Sequence, residues 1–187
     1  MSPRFMRSSN ILPLSVDPII NLWIYRVLVP LGAYKEFIMD SGFSDDGVAS
    51  TLELENLEKN LEDGSDKGSV KKELVIIYES FEKENYNSQV SSVLANNVRK
   101  IAKMVGLSHS ECRIFEFSVI LKNEQVLENA ADILGQLSTS KVCYVLSVLL
   151  DLVIEDVRHA FSTKSALFKS GLVTIDRNGS SESPLVH

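Results

Sequence analysis

From Leu107 onward the chain reads as a succession of short helices, each with its own start signal, so this half can only fold by packing helices on one another. Ser108-His-Ser-Glu111 is a capping box, in which the serine side chain accepts from the Glu111 backbone N–H and the glutamate reaches back to the serine N–H. It predicts a helix from His109. Asn123 is placed to cap a second, with Val126, Leu127, Ala130, Ala131 and Leu134 in register and Gly135 as terminator. Ser138 or Thr139 starts a third, Val142–Leu152, whose almost continuous apolar character predicts burial on most sides. A tight connection at Leu152-Val153 leads to a fourth, about Ile154–Phe161, burying Val157, Ala160 and Phe161. After Leu167, Phe168 and the turn residue Gly171, Leu172-Val-Thr-Ile-Asp176 is rich in residues that favour strands and predicts a short β element.

The first half is helical too, with weaker punctuation. Asp17 and Pro18 have the chemistry of a cap and a first helical position, and Ile20, Trp23, Ile24, Val27, Leu28 and Leu31 then recur as one wide apolar face. Pro30 and Gly32 end that helix, and Ala33–Met39 predicts one or two further turns. Asp45 or Asp46 caps the next helix, whose Val48, Leu52, Leu57 and Leu61 form a narrow stripe among glutamates. Glu62–Ser69 has the polar, glycine-containing composition of an exposed loop and marks the best boundary. Beyond it Val70, Leu74, Ile77, Tyr78 and Phe81 share a face. Another helix follows Ser88, with Val90, Leu94, Val98, Ile101 and Val105 aligned and Gly106 at its end.

Charge narrows the function. The formal net charge is −6, which argues against a generic nucleic-acid binder. Residues 43–84 hold 12 Asp/Glu against 5 Lys/Arg, whereas residues 85–187 hold 10 of each, so the acidity is local. Glu53, Glu55, Glu58, Glu62 and Asp63 read as a solvated helix face, because nothing apolar surrounds them to raise a pKa as paired catalytic acids need. His109, His159 and His187 lie far apart with no metal-ligand spacing, and Cys112 and Cys143 sit in apolar helical patterns as reduced, buried thiols. Between Ile11 and Leu31 the chain carries Asp17, Asn21, Arg26 and three prolines, too many polar groups for a membrane span, and no cleavage site follows. The expectation is a cytoplasmic protein with no membrane partner.

Helices followed by one short strand have the order of a winged helix. The wording Leu107-Ser-x-x-Glu111 with Phe115 and Phe117, Glu155-Asp-Val-Arg-x-Ala160, and Ser165-x-Leu-x-x-Ser-Gly-Leu172-Val-x-Ile-Asp176 resembles the region that precedes the motor in bacterial AAA-family ATPases. Leu22-Trp-Ile-Tyr-Arg-Val-Leu-Val-Pro-Leu-Gly32 is similar to the start of those proteins, while the acidic middle matches neither. The resemblance implies an N-terminal domain that selects a protein target or regulates the ATPase ring of its own parent chain. The chain departs from the family's motor in having no Gly-x-x-x-x-Gly-Lys-Ser/Thr loop; in Gly64-Ser-Asp-Lys-Gly-Ser69 the lysine precedes the second glycine. The fourth helix also begins without the usual Ser, Thr or Asp cap.

These readings give a mainly α fold: a helical N-terminal region, 1–62; a linker loop, 63–69; and a winged-helix-like domain with a short β wing, 70–187, with a tail from about 178. No catalytic group, cofactor or metal site is predicted. Arg158, His159, Lys164, Lys169 and Arg177 are the candidate contacts for nucleic acid or a partner. Glu155 and Asp156 on the first turn of the same helix would face the phosphates of approaching DNA, so protein contact is the favoured function and a DNA-binding transcription regulator the alternative. Trp23, Phe115 and Phe117 are expected in the core, with an aromatic docking site as the sharper alternative.

Overall fold

A computed structural model describes residues 17–173, and within them the protein is mainly α-helical, with eleven helices. Asp17 caps α1 (Pro18–Leu28) by accepting from the Ile19 N–H at 3.2 Å, and Pro18 takes the first helical position, where its missing N–H leaves nothing unpaired. Every residue from Ile19 to Leu28 except Asn21 is buried, so α1 is central rather than one-faced. It packs on α5 (Lys67–Asn85), α8 (Gln125–Asp132) and α9 (Thr139–Leu150), which come from beyond the polar loop. The buried apolar side chains on both sides of that loop form one continuous core. The loop itself is shorter than its composition suggests: Asp66 caps α5 through the Ser69 N–H, and Lys67, Gly68 and Ser69 are already helical.

Two short elements follow α1. α2 (Tyr34–Phe37) leads into a turn closed by an isolated Ile38–Phe43 bridge, over which Phe37 and Phe43 stack with centroids 4.6 Å apart. The single helix expected over the glutamate-rich stretch is two: α3 (Asp46–Thr51), capped by Asp45, and α4 (Glu55–Glu62). Glu53, at φ 56°, turns the chain between them. That bend lets Leu52, Leu54, Leu57 and Leu61 all be buried, which a straight helix would not allow for 52 and 54 together.

α6 (Ser92–Val105) starts at Ser91, whose side chain accepts from Leu94 N–H, rather than after Ser88; Gly106, at φ 81°, ends it. The capping box at Ser108 opens α7 (His109–Asn123) as predicted, with both of its reciprocal hydrogen bonds present. Asn123 is the last residue of α7, not the cap of α8: its amide donates to the Val119 carbonyl, and Glu124 is the extended junction. Ser138 precedes α9, which buries Val142, Cys143, Val145, Leu146, Leu149 and Leu150 but leaves Tyr144 exposed. Asp151, at φ 51°, begins a three-residue turn into α10 (Ile154–Ala160), which buries Val157 and Ala160 and leaves Phe161 half-buried at its end.

The expected wing is the main difference. Ser165 nucleates a further helix, α11 (Ala166–Ser170), by accepting from Phe168 N–H, and Gly171 closes it. Leu172 and Val173 belong to no strand, and the rest of the predicted strand, 174–176, lies outside the described residues. Among the described residues there are no β-strands, and no helix is long and apolar enough to cross a membrane.

Candidate functional site

α10 and α11 hold three of the five predicted contact residues, Arg158, His159 and Lys169; Lys164 lies in the turn between them, and Arg177 lies outside the described residues. The corner that carries them is fixed by Glu111, a buried carboxylate of α7. One oxygen accepts from its own cap, Ser108 N–H, at 2.7 Å, while the other reaches across to Leu167 N–H at 2.8 Å, so a single side chain caps two helices. Burial alone would raise its pKa; the backbone N–H groups of Ser108, Leu167 and Ala166 outweigh that and hold it below the ordinary glutamate range. Ser165 completes the corner, its hydroxyl donating to Ala160 O at 2.6 Å.

On this frame Arg158, His159, Lys164 and Lys169 are all exposed, but they do not stand alone. Glu155 and Asp156 are exposed beside them on α10, Arg158 pairs with Glu155 at 3.8 Å, and Asp156 accepts from Ser110 of α7 at 3.4 Å. α10 has only seven residues. A helix of two turns with two carboxylates among its four exposed charged or imidazole side chains offers phosphates as much repulsion as attraction.

A second group of polar side chains gathers where α1, α5, α7 and α9 meet, around a cleft of about 150 Å³. Arg26, on the otherwise apolar α1, is almost fully buried; it donates to both carboxylate oxygens of Glu82 and to Leu149 O at 2.7 Å. Burial disfavours its charge, yet the hydrogen bond and charge of Glu82 prevail and raise its pKa. Nearby Tyr86 donates to Asp151, which raises the phenol pKa. His109 and Arg113 also line the cleft. Sequence reasoning missed these pairs because their members stand 56 and 65 residues apart, and only the presence of an arginine within an apolar helix hinted at one.

The residues offered for other chemistry take structural places. Trp23 and Phe117 are buried and meet edge to face at 5.0 Å, and Phe115 is half-buried against the core. Both cysteines are free; desolvation pushes the Cys112 and Cys143 thiols up, which keeps them protonated and poor nucleophiles. No set of three or more His, Cys, Asp or Glu that could hold a metal ion exists among the described residues.

The outer face of α6 is the most unusual surface. Its core face, Leu94, Val98 and Ile101, packs toward α7, but Val93 and Met104, on its flank, are 69% and 84% exposed. Arg99, Lys100 and Lys103 are exposed around them, and no Asp or Glu occurs between Glu84 and Glu111. Lys100 and Lys103 form no ion pair among the described residues; burial raises the Glu116 pKa, and Arg113, His109 and, least, Arg99 offset that only in part. No protein family, curated protein or solved structure matches the chain.

Proposed function

We propose that the chain is a non-catalytic interaction or regulatory module of the kind that precedes the motor in AAA-family ATPases, working through contact with protein. Its partners are a protein target or the ATPase ring of its own parent chain. The observation that carries this reading is the α6 surface: two large apolar side chains almost fully in water, framed by cations, are costly to leave uncovered and suit a protein partner. The resemblance of the segments around Ser108, Glu155 and Ser165 to that family supplies the rest.

The alternative, a winged-helix regulator of transcription, would read DNA with α10. The mixed charge of its exposed face weighs against this, as does its length. A photo-reactive amino acid placed at Val93, and separately at Lys169, distinguishes the two in cells. The proposal expects protein adducts from position 93; DNA adducts from position 169, with none to protein from 93, would overturn it.

A further inference from the structure

We infer that the cleft between α1, α5, α7 and α9 binds a small zwitterion with an aliphatic body, of the class of a free aliphatic α-amino acid such as valine. The inference goes beyond the protein-contact reading and does not depend on it. At about 150 Å³ the cleft holds a molecule of about six to eight heavy atoms. Its apolar part is laid down by Leu22 and Leu150, both buried, and by the half-buried Leu152, while a few polar side chains converge on the same space. That is the composition of a ligand site.

Two of the polar groups are already engaged: Arg26 donates to Glu82 and Leu149 O, and Tyr86 donates to Asp151, so they serve as walls. Arg113 is not. Its side chain is only 23% exposed, yet its guanidinium stands 3.9 Å from Glu116, beyond hydrogen-bond reach, and makes no hydrogen bond among the described residues. A carboxylate meets such a fork at two points. His109 and Ser88, also on the lining, have side chains with no hydrogen-bond partner among the described residues. Asp151 supplies the opposite charge, because Tyr86 donates to its Oδ2 and leaves Oδ1 open to an ammonium. Net charge then selects the zwitterion. Glu82 and Glu116 stand behind the two arginines and Asp151 adds a further carboxylate, so a simple anion meets as much repulsion as attraction, while a simple cation leaves Arg113 without an acceptor.

Calorimetric titration of the full chain with L-valine, and with the two molecules that each lack one of its charges, isovalerate and isobutylamine, tests this. Valine should bind saturably, and each truncated molecule about tenfold or more weakly, the loss expected for a charge-assisted hydrogen bond. Arg113→Gln should weaken valine about tenfold or more and leave isobutylamine unchanged. Asp151→Asn, which keeps a residue tolerant of the left-handed backbone at φ 51°, should weaken valine similarly and leave isovalerate unchanged, with circular dichroism confirming the helices of both variants. Amide shifts on adding valine to the wild-type chain should cluster at Ser88, His109 and Leu152. A valine titration that never saturates, a truncated molecule that binds as tightly as valine, or shifts scattered over the surface overturns the inference. None of these results touches the protein-contact reading, which the cross-linking at Val93 decides by itself.

Discussion

Glu111 shows how one side chain can fix a corner of the fold. Its capping box was legible in the sequence, because both partners lie within four residues. Its second role was not, because Leu167 is 56 residues away and no local pattern announces the meeting. The difference is measurable. Ser108→Ala loses one cap and should cost about 1 kcal/mol. Glu111→Gln turns a carboxylate facing backbone donors into an amide with a donor of its own, and should cost more, about 1–3 kcal/mol. Urea titrations that ranked the two the other way would show that Glu111 caps only its own helix. The folded-state carboxyl is more acidic than in the unfolded chain, so its contribution is complete above the unfolded glutamate pKa and is lost as pH falls through the lower, folded value. Wild-type stability should therefore fall more steeply than that of Glu111→Gln across that acid range.

At the scale of elements, the sequence was most legible where caps and periodicity agree, as for α1 and α7. It was least legible where tertiary contacts set the boundary. The break at Glu53 lacks glycine or proline and exists because Leu52 and Leu54 must both reach the core. In α6 the core-facing stripe could be read, but the exposure of Val93 and Met104 depends on which helices α7 and its neighbours place alongside. The Arg26–Glu82 pair ties α1 to α5, and the bond to Leu149 O ties α1 to the end of α9. Arg26 is the more buried partner, so Glu82→Ala, which strands its charge, should cost about 3–5 kcal/mol. The double variant Arg26→Met/Glu82→Leu should recover most of that loss. Thermal denaturation showing no coupling between the two sites would mean that the pair is solvated in solution.

For the whole molecule, the decisive feature is the position of α1. The polar loop after α4 looks like a boundary by composition, yet the core passes beneath it through contacts of α1 with α5, α8 and α9. Equilibrium unfolding followed by the fluorescence of Trp23 and by helical circular dichroism should therefore give coincident transitions. Two separated transitions would show that the halves fold independently.

Arg158, His159, Lys164 and Lys169 are exposed, but what such residues can do depends on neighbours that a linear pattern weighs poorly. Arg158 spends part of its charge on Glu155, and Asp156 stands in the same face. The central claim is that this surface belongs to a protein-contact module and not to a reader of DNA. A fluorescence anisotropy titration with duplex DNA over several salt concentrations tests it most directly. The account predicts nothing tighter than non-specific binding, about 10⁻⁴–10⁻⁶ M at physiological salt. Submicromolar, sequence-specific binding, abolished by Arg158→Ala with Lys169→Ala, would contradict it.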